Sequence, residues 1–401
     1  MNFHAARLDA TDLDAAYLDA AATAPLRPEA RTAMLAVLDG SQANASSVHS
    51  AGHRAQTVLQ EARKAIARVL QARQSEVIFT SGGTEANNLA VIGLAIAHPR
   101  GRHLVTSPLE HPSVLESCRY LERVFGFEVT LVPADAQGWV APSAVAAALR
   151  PDTTLVSIGL ANGEIGTVQE VGEITEIAHR AGALMHSDAV QAAATLPVSF
   201  GVGAWPGAVD AMTIASHKFG GPQGAGALLL RSGMAIEPLL HGGGQEFGRR
   251  SGTENVAAIA GFAAAVAASA RQPGTRALAL AAARDELIDG LLEAVPECQL
   301  TGHPSERLPG HASFVVRGVS GESLLVALDT AGFAVSSGSA CAAGKDEPPA
   351  ALLALGLTPE LAQTAIRFTL PEPITSELVA AIVETVAAEV GSALGKRSGP
   401  I

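Results

Sequence analysis

Short runs of β-branched and apolar residues alternate with helical stretches through the first two thirds of this chain, and no other feature restricts its fold as much. The runs at 77–80, 103–107, 128–132, 154–158, 184–187 and 209–214 read as strands, and 54–71, 85–97, 113–125 and 171–181 as helices. Consecutive strands separated by a helix pair in parallel, because the helix carries the chain back to its starting edge. The expected fold class is therefore α/β, a mainly parallel mixed sheet flanked by helices. After about residue 272 the texture changes to an alanine-rich helix at 275–294, scattered short strands and a last helix at 376–393, with 395–401 expected to be unstructured. That shift predicts a large domain at 28–271 and a smaller α+β domain assembled from 1–27 and 272–401.

The 401 residues, 48% hydrophobic and 16% charged, are enough to bury a core of that size. A net charge of −12 argues against nucleic acid or an anionic membrane as a partner, since both would be repelled. Asp9, Asp12 and Asp14 stand where a secretory signal needs an apolar core, and the alanine-rich stretch 256–270 is too short to span a bilayer. The expected location is cytoplasmic. Cys118, Cys298 and Cys341 are odd in number and far apart, which suits a reducing compartment and predicts neither a disulfide framework nor a metal site.

Three local patterns carry chemistry. ASHKFGGPQGAGALLL, at 215–230, places Lys218 between a strand and a glycine-rich turn. A lysine at a turn is ordinarily a solvated charge, but one held off bulk water has a lowered pKa and a neutral amine able to form a Schiff base. TSGGTE, at 80–85, follows a strand and opens a helix, so its amides and the Thr84 hydroxyl form a phosphate cradle as readily as an ordinary cap. No Walker lysine or dinucleotide fingerprint accompanies it. HSDAVQ, at 186–191, ends a strand in Asp188, which can either cap the next helix or hold a ring nitrogen protonated, as pyridoxal 5′-phosphate requires.

With these patterns stand YLDAAATAPLRPE from Tyr17, NASSVH at 44–49, TSGGTEANNLAV at 80–91, EHPSVLES at 110–117 and NGEIGTVQ at 162–169. HGGGQEFGRRSGTEN at 241–255, SSGSAC ending at Cys341 and IRF at 366–368 follow in order. In this set the chain resembles the class V, fold-type I pyridoxal-phosphate enzymes, and specifically the cysteine desulfurases of the iron-sulfur-cluster and nitrogen-fixation type.

The resemblance implies that Lys218 carries the cofactor, that His111 stacks on its ring and moves protons, and that Asp188 pairs with the ring nitrogen. Asn162 and Gln191 would meet the phenolic oxygen side. Gly83, Thr84 and His217 would hold the phosphate, with Thr253 reaching the phosphate of a partner subunit, which makes the protein a homodimer. Arg367 would bind the substrate carboxylate with help from Asn44, since a planar fork suits two oxygens. Singly, each of these residues also has an ordinary reading as a cap, turn or surface residue.

Cys341 lies among small residues, a composition that predicts a mobile loop, and it is the candidate nucleophile. Cys118 and Cys298 read as buried apolar residues. The implied reaction converts L-cysteine to L-alanine and leaves the sulfur on Cys341 as a persulfide, for an iron-sulfur scaffold or a thiolation factor. A selenocysteine lyase or another class V β-lyase or aminotransferase would share the ring-binding residues, but SSGSAC favours sulfur abstraction. A non-catalytic scaffold is disfavoured by the intact Lys218, Asp188, His111, Arg367 and Cys341.

Three positions depart from the family pattern. Ala215 replaces a phosphate-binding serine, so that either Ser216 substitutes for it or the phosphate loses one donor; Ala45 replaces the proline after the family's Asn; and Gly163 replaces the second Asn of the NNE pattern.

Overall fold

The computed structural model describes residues 16–40, 43–98, 100–201, 203, 205–271, 273–337 and 348–397. In chain order the described strands are β1 (Ala16–Tyr17), β2 (Val77–Thr80), β3 (His103–Thr106), β4 (Glu128–Leu131), β5 (Thr153–Ser157) and β6 (Leu184–Asp188). They continue with β7 (Ala211–Ala215), β8 (Gly226–Leu230), β9 (Cys298–Leu300), β10 (His311–Val316), β11 (Phe333–Ala334) and β12 (Ala365–Thr369).

Seven strands form one sheet in the order β2-β8-β7-β6-β5-β3-β4. Pairing is parallel from β7 through β4, and β8 runs antiparallel to both its neighbours. The reversal follows from the connection: ten residues between β7 and β8 are too few for a helical crossover, so the chain turns straight back. Residues of β2, β3, β5, β7 and β8 are buried throughout, because helices cover both faces, and their sequences are correspondingly apolar rather than alternating. Gly226 pairs with Thr80 on one side and Ala215 on the other, which sets the carboxyl ends of β2 and β7 level. β6 ends beside them, with Asp188 paired to Thr213.

Helix Ser50–Val69 buries Leu59, Ala62 and Ile66 in one core with Ile259 and Phe262 of helix Val256–Ser269. Two helices, Pro28–Leu38 and Pro142–Ala148, lie where the apolar pattern gives no helix. Each begins with proline and buries little, Ala30 alone in the first and Pro142 and Val145 in the second, so no buried stripe can be read as a period.

A second core gathers Leu18 with residues from Leu280 to Val390, including Phe314 and Phe368, whose rings meet edge to face at 6.3 Å. It lies over a sheet of order β12-β10-β9, beside the parallel pair β1 and β11. Helix Ser376–Arg397 packs there through Val379, Ile382, Val386 and Val390 and runs through the first part of the tail expected to be unstructured. Its stretch Ser376–Gly395 is long and apolar enough to cross a membrane, which the sequence reading considered only for 256–270. The spacing of three and four residues between its buried valines and isoleucine is that of a core helix.

Candidate active site

A cavity of about 600 Å³ opens at the carboxyl ends of β2, β6 and β7, the edge at which α/β sheets bind ligands. Its walls include Gly83, Thr84, His111, Asn162, Asp188 and Gln191. His217, Lys218 and Arg367 complete the set of expected residues around it.

Lys218 sits in a single 3-10 turn, Ser216–Lys218, directly after β7. Its Nζ donates to the carbonyls of Ala21 and, at 2.9 Å, Ala22. His217 Nδ1 meets the Thr23 hydroxyl at 3.2 Å, and its pKa falls to about 4 through burial and then the neighbouring Lys218 charge. Gln191 Nε2 also donates to Ala21 O, at 3.1 Å. The strip 21–23 is thereby tied to three residues of the cavity wall.

Asp188 ends β6 with both oxygens engaged: Oδ1 accepts from Val190 N at 2.9 Å and Oδ2 from Asn87 Nδ2 at 2.6 Å. His111 caps helix Pro112–Phe125, its Nδ1 accepting from Ser113 N at 3.1 Å and standing 2.7 Å from Ser113 Oγ. Its pKa is lowered, first by desolvation, with the Asp188 charge opposing and Lys218 assisting. Asn162 turns its side chain to the loops, donating to Leu109 O at 2.8 Å and accepting from the amides of Glu164 and Ile165.

The helical stretch from Gly83 depends on bare glycine. A Cβ on Gly226 would stand 2.6 Å from the Gly82 carbonyl carbon, and one on Gly83 would stand 2.9 Å from Val190 Cγ2. The closeness of that turn to β8 and to the Asp188 loop brings its amides to the cavity. Arg367, 4% exposed in β12, donates from Nη2 to Asp19 Oδ1 at 2.8 Å and from Nη1 to Gly163 O at 3.2 Å.

Other expected residues lie elsewhere. Ser216 does not line the cavity. Ala215, the last residue of β7, does, whereas Ser216 opens the 3-10 turn with its Oγ buried without a hydrogen-bond partner and close against Gly221. Of the two alternatives, Ser216 as substitute or one phosphate donor fewer, the structure leaves the Ser216 hydroxyl off the cavity wall, and the Ala215 side chain offers no donor. Asn44 is exposed outside the cavity, its Oδ1 accepting from Ser46 N at 2.8 Å. Thr253 is exposed in the loop before helix Val256–Ser269, also outside the cavity. Cys341 lies outside the described residues.

Several cavity groups went unnoticed in the sequence. Asn87 is buried inside the TSGGTEANN run and bridges Asp188 to Ser113. Glu110 lies in the wall with its pKa pushed up to about 8, by burial first and then by the Asp188 charge, although Ser107 Oγ and Gly159 N donate to it. Burial likewise raises Glu164, with the Arg367 charge opposing. Only the inclusion of Asn87 and Glu110 in quoted motifs marked them in advance. Among the described residues no cluster of His, Cys, Asp and Glu could hold a metal ion.

The residues present suit pyridoxal phosphate. An amine, a carboxylate fixed by two donors and a glycine-opened helix start border one cavity, which is the donor set that an aldehyde, a pyridinium and a phosphate require.

The model of the class-V aminotransferase family matches residues 16–379. The chain belongs to that family. Its members depend on pyridoxal phosphate, and within the family the chain groups with the IscS and NifS-like cysteine desulfurases. It is 43% identical over 363 residues to cysteine desulfurase IscS of Dictyoglomus turgidum, covering 90% of this chain and 91% of that protein. It is 41% identical over 377 residues to cysteine desulfurase IscS of Methanosarcina thermophila, covering 94% and 92%. A solved NifS-like protein superposes with a TM-score of 0.86 at 32% identity, over 94% of this chain and all of the other. SspA, solved in complex with cysteine, gives 0.78 at 31% identity over 90% of this chain and 100% of the other.

Proposed function

We propose that this cysteine desulfurase binds pyridoxal 5′-phosphate on Lys218 and transfers the sulfur of L-cysteine to Cys341 as a persulfide, releasing L-alanine. The observation that carries the reading is the gathering of Lys218, Asp188, His111 and Arg367 around one cavity. The structural likeness to a protein solved with cysteine supports the substrate.

Bound there, the cofactor supplies an electron sink for the charge left when the substrate loses its α-proton. Asp188, held by Val190 N and Asn87, would pair with the ring nitrogen. Gly83, Thr84 and His217 would hold the phosphate, and Asn162 and Gln191 would meet the phenolic oxygen. Arg367 takes the substrate carboxylate on its fork, and the Lys218 amine removes and returns the proton at Cα. At Cys341 the balance is simple: the substrate's Cβ–S bond breaks, a new S–S bond forms to the thiolate sulfur, and Cβ gains a proton. A homodimer in which Thr253 meets the partner's phosphate, a cytoplasmic location, and a scaffold or thiolation factor as sulfur acceptor complete the proposal.

Purified protein given L-cysteine and reductant releases sulfide and alanine in equal amounts, and Lys218→Ala releases neither. Borohydride reduction followed by peptide mapping finds the cofactor on Lys218. Attachment to any other lysine overturns the assignment.

A further inference from the structure

Asn87, Ser113 and His111 form a hydrogen-bonded line whose polarity is set at one end. Asp188 Oδ2, as a carboxylate oxygen, only accepts, so the Asn87 atom 2.6 Å away is its NH₂ group. The same nitrogen stands 2.9 Å from Ser113 Oγ and donates to it. With that donor arriving, the Ser113 hydrogen is available for His111 Nδ1, 2.7 Å away, which already accepts from the Ser113 backbone N–H at 3.1 Å. A nitrogen facing two donors carries no hydrogen.

We infer that Ser113 and Asn87 are positioning residues that fix His111 as the Nε2-protonated tautomer and couple its protonation to Asp188. The line begins on the carboxylate and passes through Asn87, 2% exposed, and Ser113, 7% exposed, so its middle is shielded from water, and it ends on an imidazole exposed to the cavity. Protonating Nδ1 would set an N–H against the Ser113 N–H and strip the serine hydrogen of its acceptor. The proton of the neutral ring therefore sits on Nε2, the nitrogen left for whatever occupies the cavity. Charged groups facing the ring are Asp188 at the end of β6, which favours the imidazolium, and Lys218 after β7, which opposes it. Glu110, next in the chain, is held largely protonated near neutrality. That His111 moves protons in turnover rests on the function proposed above; the tautomer does not.

The test reads His111 without turnover. Hydrogen–deuterium exchange at imidazole C2, followed by mass spectrometry across pH on the full-length protein with cofactor bound, gives a pKa for each histidine, with exposed His53 as internal reference. Ser113→Ala removes one donor to the neutral ring and raises the His111 pKa by about half to one unit, the size of one net hydrogen bond. Ser113→Thr keeps the hydroxyl and the wild-type value. Asn87→Ala, which frees the serine to turn, also raises it, and the double variant shifts no further than Ser113→Ala alone. A Ser113→Ala variant with unchanged or lower pKa, or a double variant whose shifts add, overturns the inference. Wild-type circular dichroism and dimer mass in each variant keep a folding defect separate, and intact alanine release in wild type keeps the functional reading separate.

Discussion

Arg367 Nη2 and Asp19 Oδ1 stand 2.8 Å apart, a bond joining β12 near the end of the chain to the strip that follows β1 at its start. The guanidinium is nearly buried, and a charge in that position needs a partner before substrate arrives. Asp19 and Gly163 O hold the fork in place, so under the proposed function a substrate carboxylate would meet an arginine that is already oriented.

Arg367→Lys loses this geometry, because one ammonium cannot keep Asp19 and Gly163 and also receive two carboxylate oxygens. KM for L-cysteine rises about 10- to 100-fold, the cost of a hydrogen bond to a charged group, with a smaller change in kcat. Steady-state kinetics at saturating cofactor measures it. An unchanged KM would remove Arg367 from the substrate.

Glu110 gives stability a sign with pH. Its pKa is about 8 in the fold against an ordinary 4.5, so between those values the folded protein keeps a proton that the unfolded chain releases. Stability therefore falls as pH rises from about 4.5 to about 8 and levels beyond, as far as this group is concerned. Glu110→Gln keeps an oxygen for Gly159 N and an NH₂ for Ser107 and removes the slope. Urea titrations at several pH values decide it: a variant that retains the wild-type decline refutes this role.

Burial pushes the Cys118 and Cys298 thiols up to about 12, leaving almost no thiolate at neutral pH. Iodoacetamide at pH 8 leaves both unmodified in native protein and labels both in denaturant. After one turnover with L-cysteine, mass spectrometry finds the extra sulfur on Cys341. Cys341→Ser loses alanine release by several orders of magnitude while still binding cofactor. Sulfur found on Cys118 or Cys298 defeats the proposed transfer.

Thr253 lies exposed outside the cavity, in a segment anchored to the glycine turn at 82–83 by Arg250, whose Nε donates to Glu85 at 2.8 Å. Glu85 also accepts from Ser81 N. Dimers should persist at nanomolar concentration by mass photometry, and Thr253→Ala should weaken cofactor retention without unfolding the protein. A fully active monomer contradicts both.

Strands were legible because buried β-branched runs such as 77–80 and 154–158 need no partner to declare themselves. Helix Pro28–Leu38 was not, since it buries only Ala30 and so shows no apolar stripe. Within the site, Lys218, Asp188 and the glycine turn could be read from local chemistry. Asn87 and Glu110 could not, because their roles depend on contacts with Asp188, Ser113, Ser107 and Gly159 that no spacing reveals. Ser216 was ambiguous for a related reason: it opens the turn after β7, and nothing local says on which side of that turn its hydroxyl is buried.

The strip carrying Asp19 and Ala21 gives the two ends of the reaction a common lever. Asp19 holds the arginine and, two residues on, the carbonyl of Ala21 receives the lysine. Both cations of the cavity thus take their partners from one short length of backbone, residues 19–22, so a change in the course of that strip alters the surroundings of the arginine and of the lysine together.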